Sequence, residues 1–398
     1  MKLSTLSASA ALALSTLTAA THINYTIVPG YFLQDDESTD PSTFDYTANN
    51  FGLIPRTYDA DKNSTDSLSI WQRFHRQLIY LNNHAPKHVS YKLFFMGRHG
   101  EGYHNAAEDY FGTPAWNCYY ALLPGNTTHT WFDADLTPSG LEQAQIAHAY
   151  WLHQHTLHRI HFPDLYYTSP MTRALKTANI TFTGLPLQQA HAAPFIPEVK
   201  EGFREGMSMH TCNHRRSKGY IEGLFPGWKF EAGFSEEDEL WTGTTGETSE
   251  AQDLRSREAL DDIFLRGTSK RSNIVPLPLK GVCHGGHGPG HSGQEDEEEE
   301  GKGKKDLVVS ITAHSGEISS ILRVIGHQPF RLSTGAVIPV LIRAEEVRGQ
   351  LLPTTTTAWT VSAYCTEPPV TSVTDCVCAS SAAPVTSGFP VFATSIPY

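Results

Sequence analysis

Hydrophobic positions along this chain fall into blocks, and three blocks share a feature: each ends on arginine or histidine. Lys92-Leu93-Phe94-Phe95-Met96-Gly97 runs into Arg98-His99-Gly100. Asp164-Leu165-Tyr166-Tyr167-Thr168 runs into Ser169-Pro170-Met171-Thr172-Arg173. Leu307-Val308-Val309-Ser310-Ile311-Thr312 runs into Ala313-His314-Ser315-Gly316. Near-continuous apolar runs predict strands buried on both faces, as in parallel sheets, rather than the alternation of half-exposed strands. Elsewhere the period is helical. Leu68, Ile70, Trp71, Phe74, Leu78, Ile79 and Leu81 predict a helix over 67–82, stopped by Asn82, Asn83 and Pro86. Thr137-Pro138-Ser139-Gly140 opens a second helix that reaches about His153. Pro170 stands near a helix start, where a missing N–H does no harm. Residues 195–199 predict a further strand, 254–266 a helix ended by Gly267, and 337–343 a strand that closes the sheet.

Strands alternating with helices predict an α/β fold, and in an open α/β sheet ligands bind beyond the carboxyl ends of the strands. Arg98, His99, Arg173 and His314 are then far apart in sequence and close in space. Two guanidinium groups and two imidazoles facing one crevice imply a multiply charged anion, and phosphate fits best.

Composition narrows the rest. The chain has 398 residues and a formal charge of −12, which argues against nucleic acid or an anionic membrane surface as partner. Residues 1–20 have one Lys, a mildly apolar Ala/Leu/Ser stretch and small residues at 18–20, and predict a secretory signal. Sequons at Asn24, Asn63, Asn126 and Asn179 point the same way. No run reaches the ~18 apolar residues of a membrane span. The six cysteines are 118, 212, 283, 365, 376 and 378. An even number in a secreted chain permits disulfides, and six allow fifteen pairings.

Residues 21–85 read as an N-terminal extension with its helix, 86–350 as the catalytic domain, and 351–398 as a Thr/Ser/Pro-rich tail. Within the domain, 284–305 sets three His among glycines, followed by an acidic run and Gly-Lys-Gly-Lys-Lys. With Cys283 it has the makings of a metal-binding tract. Its composition favours a solvated, disordered insertion, because such a segment cannot bury enough surface to order.

The string Arg98-His99-Gly100-Glu101-Gly102-Tyr103-His104-Asn105 resembles the histidine phosphatase superfamily, in its phosphoglycerate-mutase-like branch. Further matches follow in order. They are Leu136-Thr137 with Gly140 and Gln143; Ser169-Pro170 with Arg173, Ala174 and Thr177; Arg204-Glu205 followed by His210, Thr211, Cys212 and Arg215; and Ala313-His314-Ser315-Gly316. Together they span roughly 30–345. The resemblance implies a three-layer α/β/α sandwich with a mostly parallel central sheet, and phosphoryl transfer through a phosphohistidine without cofactor or metal. By position it makes His99 the nucleophile, Arg98, Asn105, Arg173 and His314 the phosphate pocket, and Glu205 the proton donor. Glu101 and Glu201 are close enough in sequence to be mistaken for Glu205. His210, Arg215 and Arg216 either contact the rest of the substrate or line a basic groove. Three departures put substrate choice in doubt: Asn213 where the branch has Asp, Ser208 where it has Gly, and Gly246-Glu247-Thr248 where it has Arg-Glu-Thr. The R-H-G-x-R-x-P string of acid phytases is absent. The expected function is a secreted, metal-independent hydrolysis of a small phosphomonoester. A phosphoglycerate-type mutase and a catalytically idle phosphate-binding or cell-wall protein are the alternatives.

Overall fold

The computed structural model describes residues 21–62, 67–188, 190, 192–266, 306–349, 359–370 and 376–378. The expected signal at 1–20, the sequon at Asn63, Gly267, Cys283 and the tract 284–305 lie outside them.

The three apolar runs form neighbouring parallel strands. β1 (Thr21–Ile27), β2 (Val89–Arg98), β3 (Leu165–Thr168), β4 (Glu198–Val199), β5 (Lys229–Phe230), β7 (Val308–Ala313) and β8 (Val337–Arg348) make one sheet of order β1-β8-β2-β7-β3-β4-β5. β2, β7, β3, β4 and β5 run parallel. Side chains alternate across the sheet. Leu93 and Phe95 of β2 join one core cluster, and Phe94 and Met96 the opposite one. The first cluster is covered by α1 (Ile70–His84), α4 (Pro138–His158) and α5 (Thr172–Phe182), which contribute Trp71, Phe74, Trp151 and Phe182. The second is covered by α7 (Ser249–Phe264) and α8 (Ser315–Val324), through Leu260, Ile263, Ile318 and Ile321. The result is the expected α/β/α sandwich. Each large side chain fully buried in these layers contributes roughly 1.5–3 kcal/mol.

One strand sits elsewhere than its sequence suggested. β8 does not close the sheet; it lies between β1 and β2, antiparallel to both. The edge is β1, whose residues 21–27 pair one for one with 342–348. Nothing local in either segment encodes a pairing across more than three hundred residues.

Local chemistry explains the helix starts. Ser69 and Gln72 form a capping box on α1, and the Thr137 hydroxyl accepts from Gly140 N at 3.1 Å at the head of α4. α7 begins at Ser249, earlier than the apolar spacing indicated, because Thr248 caps it through Ala251 N at 3.2 Å. Part of the Thr/Ser/Pro-rich segment is tied to the domain. β6 (Gly246–Glu247) pairs with β9 (Trp359–Thr360), Tyr364 is buried against Leu122 and Met209, and disulfides join Cys118 to Cys376 and Cys365 to Cys378. Cys212 is a free, buried thiol pushed up to about 11 by burial. Among the described residues no helix is long and apolar enough to cross a membrane.

Candidate active site

Each of the three parallel strand ends delivers one part of a single buried cluster. His99 follows β2 and is stitched on both sides: its N–H donates to Ala313 O at 2.9 Å, and its carbonyl accepts from Gly335 N at 3.0 Å. The turn after it needs Gly100. A Cβ there would lie 2.3 Å from Gly140 O, and one on Gly140 would lie 2.1 Å from Glu101 O. Two backbones therefore touch where the loop after β2 crosses the first turn of α4, which is why both sequence motifs carry glycine at that point.

His99 is 2% exposed, and its Nδ1 meets Gly100 O at 2.6 Å. A carbonyl only accepts, so Nδ1 carries the proton and Nε2 keeps its lone pair. Burial, then the charges of Arg173 and Arg98, hold the ring well below its ordinary pKa and therefore neutral. His314 stands between the end of β7 and the start of α8 with its ring centre 5.0 Å from that of His99. It bonds Ser169 Oγ through Nε2 at 2.7 Å, and its Nδ1 is buried without a partner. Arg173, on the first turn of α5, is 1% exposed and donates Nη1 to Cys212 O at 2.8 Å; its Nε is buried and unpartnered. Arg98 donates Nη1 to Leu332 O at 2.8 Å and also has an unpartnered buried Nε. Enclosed donors without acceptors are uncommon, each costing about 1–3 kcal/mol. Several of them together could receive an anion.

Glu205 reaches the cluster across α8. Its Oε1 accepts from Gly206 N at 2.9 Å and its Oε2 from Gly316 N at 3.1 Å. The two competing carboxylates are engaged elsewhere. Glu201 pairs with Arg204 at 3.1 Å and Arg215 at 2.6 Å, and Glu101 accepts from the Thr137 hydroxyl at 2.6 Å. Asn105 lies on α2 (Tyr103–Phe111), where its Oδ1 accepts from Gly102 N at 3.0 Å. His210 packs near Trp116, with ring centres 6.3 Å apart; burial pushes it down to about 4.

Arg215 is not brought to the site. It is buried, and its guanidinium is filled by Glu201, the Ser235, Glu236 and Glu237 carbonyls and the face of Phe234. A fully partnered cation has no hydrogen bond left for a substrate, so this arginine holds residues 235–237 against Glu201. Arg216 stacks on Phe132 and Tyr220. Two of the departures from the branch pattern meet: Asn213 Nδ2 donates to Ser208 Oγ at 2.9 Å and to Gly206 O at 3.0 Å.

Sequence reasoning missed Asp133. Its carboxylate accepts from Thr172 N at 2.9 Å and Thr172 Oγ1 at 2.6 Å, capping α5 from a distant loop where no local residue does. Arg173 stands one residue later. Thr177 was seen as a motif match without a task. It accepts from Gly100 N at 3.0 Å and donates to Arg173 O at 2.8 Å, linking the two strand ends.

The pattern of the histidine phosphatase superfamily (branch 1) matches residues 122–276, a range that includes Arg173 and Glu205 but neither His99 nor His314. Over 325 residues the chain is 43% identical to a protein of Arthroderma benhamiae named "Probable phosphoglycerate mutase", covering 81% of this chain and 85% of that one. The chain belongs to the histidine phosphatase superfamily. A second relative, phosphomutase-like protein 3 of Candida albicans, is 34% identical over 79% of this chain and 78% of its own. A solved structure, mycobacterial hydrolase 1, aligns over 65% of this chain and 98% of that one with a TM-score of 0.32 and 14% identity; nothing below rests on it.

Proposed function

We propose that this histidine phosphatase is a secreted hydrolase of small phosphomonoesters that works through a phosphohistidine. The observation that carries the reading is the convergence of Arg98, His99, Arg173 and His314 from three strand ends, with His99 neutral and its Nε2 lone pair free. Nε2 attacks phosphorus, the ester oxygen leaves, and the phosphoryl group rests on the ring. Its equatorial oxygens carry the charge, and fixed guanidinium and imidazole donors stabilise that charge where a metal would otherwise act. Losing one such donor typically costs about 3–4 kcal/mol of barrier. Glu205 gives the leaving oxygen its proton, then takes one from the water that attacks the phosphohistidine and releases phosphate. Exposed sequons at Asn24 and Asn126 and the two disulfides support a secretory, oxidising route.

The names of the relatives favour a second reading, a phosphoglycerate-type mutase, in which the phosphohistidine is discharged to another hydroxyl of the substrate. One experiment separates the two. The protein is mixed briefly with labelled substrate, quenched in base and mapped, and turnover is followed in 18O-water. The hydrolase reading expects an acid-labile label on His99 and 18O in the released phosphate. Label on His99 with transfer to a hydroxyl and no 18O indicates the mutase. Turnover retained in folded His99→Ala removes both.

A further inference from the structure

His104 has no task in the scheme above, yet it stands against the nucleophile. It lies on the first turn of α2, is 8% exposed, and its ring centre is 5.4 Å from that of His99 with the planes at 48°. Among the described residues neither ring nitrogen has a hydrogen-bond partner, and of the two only Nδ1 is also sealed from solvent. The ring is held against the backbone: a Cβ on Gly102 would lie 2.7 Å from Nδ1 and 2.8 Å from Cε1. A neutral imidazole always has one N–H and one lone pair to satisfy. Nε2 is the nitrogen that is not sealed off, and with no protein partner it is the one a ligand can fill.

The surroundings say which ligand. The groups that act on His104 are Arg98 and His99 at the end of β2, Arg173 on α5, and His210 from the loop after Glu205. His314, at the head of α8, is coupled to it as well. These are guanidinium groups and imidazoles, so the field at the ring favours an anion. We propose that His104 is a contact residue for the transferring phosphoryl group, donating Nε2–H to one of its oxygens beside Arg98, Arg173 and His314. The inference rests on reading the cluster as a phosphate site.

A second property follows. With no anion present, burial and then Arg173 keep His104 neutral well below pH 6.5. A bound dianion offsets those positive charges and raises the ring's affinity for a proton, so part of any proton uptake on binding falls to this ring. His99 and His314 feel the same field, so the part due to His104 is the difference between wild type and a His104 variant.

The test is calorimetric titration of the full chain with inorganic phosphate at pH 6.5, in two buffers of different ionisation enthalpy. His104→Ala is expected to bind phosphate about tenfold more weakly, the scale of one hydrogen bond to a charged group. His104→Gln, whose amide N–H falls near the Nε2 position, is expected to recover most of the affinity while taking up fewer protons than wild type. A merely structural histidine would show neither the rescue nor the altered uptake. Wild-type affinity in folded His104→Ala would overturn the proposal, and so would a tenfold or greater loss in folded His104→Gln, even if His104→Ala fails to fold; wild-type proton uptake in His104→Gln would remove the protonation of the ring. Failure of the wild type itself to bind phosphate, or normal binding by Arg173→Ala, would bring down the phosphate-site reading and this inference with it.

Discussion

Gly316→Ala should damage catalysis without damaging the fold. Gly316 is the second residue of α8, and its N–H donates to Glu205 Oε2 at 3.1 Å. Its backbone is not in the left-handed region, so alanine is conformationally acceptable there. A Cβ added at this position would lie 2.1 Å from Glu205 Oε1 and 3.0 Å from its Cδ, where ordinary contact begins at 3.4 Å. The carboxylate therefore has to retreat by roughly 1 Å, which the end of a flexible side chain can do cheaply. Replacing glycine by alanine near a helix start contributes up to about 1 kcal/mol of helix propensity. The lost N–H to carboxylate bond removes about 1.5–3 kcal/mol. Stability should thus fall by about 2 kcal/mol at most, which leaves the domain folded. A 1 Å misplacement of a reacting group costs about 100-fold in rate, or about 2.7 kcal/mol of barrier. The assay compares kcat/KM on an alkyl phosphate and on p-nitrophenyl phosphate, with thermal unfolding in parallel. The alkyl ester should lose about 100-fold and the aryl ester clearly less, because a good leaving group needs little proton donation. Equal losses on both substrates would show that the displaced carboxylate does not act as an acid. An unchanged rate on both, in a folded variant, would refute the placement of Glu205 at the reacting bond.

Other outcomes are open to simple measurement. Arg173→Ala should lose 100-fold or more in kcat/KM and most of its inhibition by vanadate, since its guanidinium is one of the fixed donors; vanadate inhibition equal to wild type would remove it from the pocket. A protonated imidazole cannot attack, and in the free protein burial with Arg173 and Arg98 depresses His99 well below 6.5, so kcat/KM for the substrate dianion should hold its pH 7 value down through pH 6; a half-loss centred near pH 6.5 would mean the nucleophile titrates like an exposed histidine. Cys118→Ser opens a loop of 258 residues and should cost about 2–5 kcal/mol in denaturant unfolding; an unchanged midpoint would mean that the Cys118–Cys376 bond is not formed. Activity should survive EDTA, and loss reversed by zinc or magnesium would bring the tract at 284–305 back as a ligand set.

What the sequence revealed and what it hid divide along one physical line. β2, β3 and β7 were legible because both faces are buried, so each appears as an unbroken apolar run. Helix heads at Ser69 and Thr137 were legible because capping is local. The place of β8 was not, because strand order is set by contacts far apart in sequence. Charged side chains were the least legible. Arg173 and Arg215 look alike as letters, but one is left with an unpartnered buried Nε and the other is saturated by Glu201 and four carbonyls. Asp133 carried no signal, since it caps a helix that begins 39 residues later. His104 did carry one, as part of the long motif. Its neighbours rather than its position give it meaning.

The partnership of β1 with β8 has a consequence in time. Residue 27 waits for residue 342 before it has a strand beside it, and β2 lacks both sheet neighbours until residues beyond 308 have been made. At synthesis rates of about 5–20 residues per second, that interval is roughly 15–60 s. During it the β1 edge and the Phe94–Met96 segment are chain without a sheet, so the domain completes itself only when its last strand leaves the ribosome. A truncation that removes β8 therefore takes away more than an edge: it leaves β1 and β2 on opposite sides of a missing strand, and should yield aggregate rather than a smaller folded domain.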